Sequence, residues 1–169
     1  MDLKKYLLGG DLRSIAEVDK LIPLIKNQND FDRLFDILFS ENRLEVMRAA
    51  DAIEKITLNK GSYLQKHKNS LLKLLSTAQD KELKWHLALL ASRIKLTNKD
   101  LEIVVSKLKE WISNKTESRI VRVNSIQALY NLSLQHKGLK KDFNLLVKNI
   151  RNENIASINA RLKKLKIYF

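Results

Sequence analysis

Val121-Arg122-Val123-Asn124-Ser125-Ile126-Gln127-Ala128-Leu129-Tyr130-Asn131-Leu132 is the stretch whose reading decides the fold. Apolar or small residues stand at 121, 125, 128, 129 and 132, the three-and-four spacing of one helical face. The same face recurs upstream. Ile56, Ile94 and Leu132 align as last core residues, 38 positions apart each time. Around them Ala52-Ile53, Leu90-Ala91 and Ala128-Leu129 superpose, and Ala49, Leu87 and Ser125 superpose one turn earlier. The preceding helices agree: Leu34/Leu38, Leu71/Leu75 and Leu108/Ile112 follow one another at 37 residues. A shorter fourth copy fits Leu146 and Ile150, then Ile158, Leu162 and Leu165. A period near 38 with two helices per copy predicts a helical-repeat array, in which stacked neighbours supply the core.

Helices are expected over 2–8, 11–27, 30–39, 42–58, 63–76, 80–96, 99–113, 116–136, 141–150 and 153–167. Thr97-Asn98-Lys99-Asp100 reads as a capping box. Gly9-Gly10, Gly61, Asn98 and Gly138 read as breaks suited to left-handed helix ends. Pro23 is expected to end, start or kink the second helix.

Val121-Arg122, Ser125, Ala128-Leu129 and Leu132 resemble the second helix of a HEAT repeat. Leu83-Lys84, Leu87, Leu90-Ala91 and Ile94 follow the pattern more loosely, as do Ala49, Ala52-Ile53 and Ile56. The resemblance covers about 30–167 and departs in lacking the first-helix proline and a regular Asp–Arg ladder. It implies an all-α, right-handed α-solenoid of about four HEAT-like pairs behind an N-terminal helical cap. The cap would be 1–29 and the array 30–169, one structural domain with units near 30–60, 61–97, 98–138 and 139–169.

The chain has 169 residues, four Gly, one Pro and no Cys. So few turn residues argue against sandwiches and barrels. Without Cys there is no disulfide framework, thiolate zinc site or cysteine nucleophile. No Gly-rich phosphate loop fits glycines at 9, 10, 61 and 138 alone. His67, His86 and His136 are far apart and read as polar surface or satisfied core residues. Asp32/Asp36 and Glu41/Glu45 have helical spacing and read as solvated faces. No cofactor, no metal and no catalysis are expected. Some HEAT-like proteins are alkylpurine DNA glycosylases with Trp, Asp and Arg at the site. Trp85, Asp51 and Arg93 do not match that motif, so the activity is not carried over. No signal segment and no membrane span is read, so a cytoplasmic location is expected.

The net charge of +13 is uneven. Residues 1–59 hold nine basic and eleven acidic side chains, and 60–169 hold 23 basic and eight acidic. The excess is mostly Lys, 23 against nine Arg, whereas nucleic-acid readers favour Arg; AT-rich codons alone also favour Lys.

The resemblance places second helices on the concave face. There Met47, Trp85, Leu89, Val123 and Tyr130 form an apolar stripe for a protein or peptide partner. The stripe is flanked by Asp51 and Glu54 at one end and by Lys163 at the other. A second reading is phosphate-backbone binding through Lys84, Arg93, Arg119, Arg122, Lys148, Arg151, Arg161 and Lys164, although the resemblance implies that an Arg at the place of Arg122 bonds within the stack. A third is head-to-tail self-association of the acidic and basic ends.

Overall fold

The computed structural model describes residues 2–10 and 15–167. Every regular element among them is helical. The helices are α1 (Val18–Leu21), α2 (Gln28–Asp36), α3 (Arg43–Thr57), α4 (Ser62–Gln65), α5 (Lys68–Thr77), α6 (Lys81–Ala91), α7 (Asn98–Ser113), α8 (Arg119–Gln135), α9 (Lys140–Arg151) and α10 (Ala156–Lys164). Short 3-10 turns join several of them. The described residues fall into two compact units, one up to Lys68 and one from Asn69 onward.

In the first unit α2 and α3 pack as a pair, and α1 lies against α3. Asn27 and Asn42 start the two long helices by accepting from the backbone N–H of Asp30 and of Leu44 and Glu45. Phe31, Leu34 and Phe35 on α2 and Ala49, Ala52 and Ile53 on α3 are buried. Burying each Phe contributes about 1.5–3 kcal/mol. The small residues of α3 let the helices approach closely.

The expected helix over 11–27 is much shorter, and its residues 11–14 lie outside those described. Pro23 ends α1, because it lacks the N–H that would bond back to Asp19. One 3-10 turn, Ile22–Leu24, follows before Ile25 turns extended. The expected helix over 63–76 is also divided, into α4 and α5. At that break Lys66 and His67 turn onto α2. Both His67 Nε2, at 2.7 Å, and the Lys66 ammonium bond the Asp32 carboxylate. Gln28 donates to it at 2.7 Å, and the His67 ring stacks on Phe35 at 4.1 Å. Asp32 is therefore no solvated residue. Glu45 is likewise buried, accepting from Ser40 at 2.8 Å and pairing with Lys4 at 3.0 Å. Each acidic residue is drawn in by partners that neither helix alone supplies.

The second unit is built around α8, which packs on α6, α7, α9 and α10. The capping box forms as read: Thr97 Oγ1 accepts from Asp100 N–H, and Asp100 accepts from Thr97 N–H, each at 3.2 Å. The glycine reading is corrected at Gly61 and Gly138. Gly61 has φ −57° and needs no glycine, and Gly138 lies in a 3-10 turn. The reading holds at Gly9 and Gly10, whose backbone is left-handed, and further left-handed residues are Ala16, Asn154 and Lys166. Asn154 and Lys166 bracket α10 and shorten it relative to 153–167.

The bond from Lys66, then that from Gln28, and then that from His67 hold the Asp32 carboxyl at about 2, below its ordinary 3.8. A carboxyl depressed in the folded state adds stability above its unfolded value and loses it as pH falls through the folded one. Thermal melts should therefore show stability dropping from about pH 4 to pH 2. In Asp32→Asn that drop should be shallower, with lower stability at pH 7. An unchanged acid limb would show that this cluster does not govern it.

Candidate functional site

The surface of the second unit depends on how its second helices, α6, α8 and α10, are tied together. Lys84 and Arg122 are each the fourth residue of their helix. Lys84 Nζ reaches Glu117, in the turn before α8, at 2.7 Å. It also lies 5.9 Å from the centroid of the Trp111 ring. Arg122 Nη2 reaches Glu153, in the turn before α10, at 2.8 Å. Arg122 Nε donates to the Ile112 carbonyl at 2.8 Å, one of the carbonyls that the last turn of α7 cannot satisfy itself. Arg122 is 1% exposed. The two contacts are equivalent rungs one repeat apart, made of Lys–Glu and Arg–Glu.

These inward anchors fix which side of each helix is free. On α6, Trp85 and Leu89 stand at i and i+4, and both are half-buried. On α8, Val123, Gln127, Tyr130 and Leu134 stand at i, i+4, i+7 and i+11, one stripe along the helix. The first three are half-buried and Leu134 is 65% exposed. Ile120, beside them, is 46% exposed. The Tyr130 ring meets Phe143 of α9 at 5.8 Å. Gln127 donates to Asn131 at 2.9 Å and accepts from Arg161 Nη1 at 2.8 Å. Arg161 Nη2 lies 3.4 Å from Asn124 Oδ1. Half-buried Arg161 thus contacts amide oxygens, and burial pushes its pKa down.

Of the expected apolar stripe, Trp85, Leu89, Val123 and Tyr130 lie in this unit. Met47 lies in the first unit, where it is 9% exposed and offers almost no surface. Asp51 and Glu54, also on α3, are half-buried. Leu134 and Ile120 went unread in the sequence. The period-38 comparison stops at the last core residue, and no core position marks them.

The eight expected phosphate contacts divide in two. Lys84 and Arg122 are the structural rungs, and Arg161 is held between α8 and α10. Arg93 is half-buried and has contacts of its own. Arg119, Lys148, Arg151 and Lys164 are exposed. Lys137, Lys140, Lys141, Lys163 and Lys166 are exposed as well. Of these the sequence singled out Lys163 alone, and the others are signalled only through the excess of basic residues over 60–169.

A sequence-family profile described as a HEAT repeat domain matches residues 8–166. The chain belongs to the HEAT-repeat family. No curated protein and no solved structure shows significant similarity to it. HEAT repeats generally serve as protein-interaction scaffolds and are typically non-catalytic. Among the described residues of this HEAT-repeat chain, no group of three or more His, Asp or Glu could hold a metal ion. No helix among them is long and apolar enough to cross a membrane.

The Arg122 rung gives a direct stability test. Removing Arg122 leaves the half-buried Glu153 carboxylate and the Ile112 carbonyl without their partner, which costs about 1–3 kcal/mol per orphaned group. Arg122→Ala should lose about the sum of the two in urea unfolding. Lys84→Ala should lose less, since only one carboxylate and no backbone carbonyl is orphaned. Equal small losses from both variants would show that the rungs do not hold the repeats.

Proposed function

We propose that this HEAT-repeat protein is a non-catalytic interaction module. It binds an acidic protein segment on the free face of α6 and α8. One arrangement carries the reading: the apolar line of Trp85, Leu89, Val123, Tyr130 and Leu134 stands beside Arg161, whose described contacts are with neutral amides. A guanidinium offers five N–H donors, and a carboxylate matches its fork better than an amide oxygen does. The apolar side chains supply the anchors that concentrate binding energy in a protein interface. The second unit carries 20 basic and eight acidic side chains, which steers an acidic partner toward it. Binding would use a preformed surface, so little ordering of this chain opposes association.

The test begins with capture from native extract treated with nuclease, followed by purification of each captured protein. The purified partner should bind wild type, and Trp85→Ala and Leu134→Glu should each weaken it tenfold or more. Arg161→Gln should weaken it and flatten its salt dependence. A partner whose affinity is indifferent to both Trp85→Ala and Leu134→Glu would remove this face from the function.

A further inference from the structure

The segment from Lys137 to Ile167 contains two acidic residues, Asp142 and Glu153. Both are engaged by cations outside it. Lys109 on α7 pairs with Asp142 at 3.0 Å, and Arg122 on α8 pairs with Glu153. The seven lysines between 137 and 166 are all exposed and bond no carboxylate among the described residues. Their positive charge is uncompensated locally.

The lysines are also sorted by side. On α9 the buried Phe143, Val147 and Ile150 fix the inward direction. At 3.6 residues per turn, Lys140, Lys141, Lys148 and Arg151 share one flank, and Asp142 faces α7 on the other. Lys141 and Lys148 are two turns apart, about 10 Å along the axis. On α10 the buried Ile158 and Leu162 point inward and Arg161 points to α8. Asn159 and Lys163 lie on the side away from α8. The two flanks meet at a shallow cavity of about 560 Å³. It is lined by Arg151, Lys163, Asn152, Asn154 and Asn159 together with the apolar Leu162 and Ile167. Asn159 donates to Asn154 at 3.1 Å.

We infer that this flank of α9 and α10 is a docking site for the phosphate backbone of nucleic acid. Lysines act as point charges and suit phosphates, which need no base-edge geometry. Asparagine amides supply the further donors that phosphate oxygens accept. A duplex lying along the roughly 18 Å of α9 carries about ten phosphate charges over that length, about half of them on its near side. The aromatic anchors that a protein partner needs, Trp85 and Tyr130, lie elsewhere, on α6 and α8. This inference is independent of the proposed protein-binding face.

The test is fluorescence anisotropy with a mixed-sequence 20-base-pair DNA duplex between 50 and 200 mM KCl. With about five cations engaged, the log–log salt slope is about −4.5, so affinity falls about 500-fold across that range. The triple variant Lys141→Gln, Lys148→Gln, Lys163→Gln should bind at least tenfold more weakly at 50 mM, with a slope shallower by about 3. A charge-matched control, Lys26→Gln, Lys73→Gln, Lys99→Gln, should bind like wild type. Equal losses in the two triples would overturn the site in favour of net charge alone. Failure of the duplex to bind would overturn it too. A polyglutamate probe that binds instead, and is lost in the first triple, would assign the flank to acidic protein. Trp85→Ala should leave duplex affinity unchanged, so failure of the α6–α8 face and failure of this site are read separately.

Discussion

A helix pair of this kind has apolar side chains on more sides than its partner helix can cover, and the next pair must cover the rest. Helix α8 shows the constraint plainly. It is buried at Val121, Ser125, Ala128, Leu129 and Leu132, but α7 alone does not bury it, and α6, α9 and α10 also pack on it. The polar side chains obey the same geometry. Bonds from Tyr63, Lys66, Lys84, Lys109, Asn131 and Arg161 all span 33 to 39 residues. That range brackets the repeat read from the apolar residues. Each bond therefore joins neighbouring copies, as nearest-neighbour stabilisation of a repeat array requires.

This constraint also shapes the charge. Glu117, Asp142 and Glu153 are all engaged by cations from the preceding copy. Once those carboxylates are engaged, α9 and α10 are left with lysines and amides on one flank. The bulk charge of the sequence thus becomes a localised field with a definite side. On the opposite side, Arg161 lies among neutral groups. The two proposed surfaces differ in kind for this reason: one combines apolar anchors with a single half-buried cation, and the other is dominated by exposed lysines and amides.

The array was legible in Val121–Leu132 and its upstream copies because core positions tolerate only small or apolar residues at fixed spacing. The Thr97 capping box was legible because it is local. The rungs were not. Their residues are Lys84–Glu117 and Arg122–Glu153, neither of them Asp–Arg, and one partner of each lies in a turn that carries no periodic signal. Asp32 and Glu45 looked solvated because their partners come from other segments. Among the face residues, Trp85, Leu89, Val123 and Tyr130 followed from counting opposite the core. Met47 did not fit that count, because its surroundings in the first unit cover it. Pro23 was read as a place to end, start or kink the helix expected over 11–27, but the start of that helix was overstated because apolar spacing alone does not register the left-handed backbone at Ala16.

Lys84 and Trp85 are adjacent in the chain, yet one is tied inward to Glu117 and Trp111 and the other is turned outward. The same turn of α6 thus carries a rung between copies and a side chain of the exposed face. Whatever immobilises Trp85 also restrains the backbone from which Lys84 reaches the next copy. A partner that fixed Trp85 would thereby act on the rung between copies as well as on the face it covers.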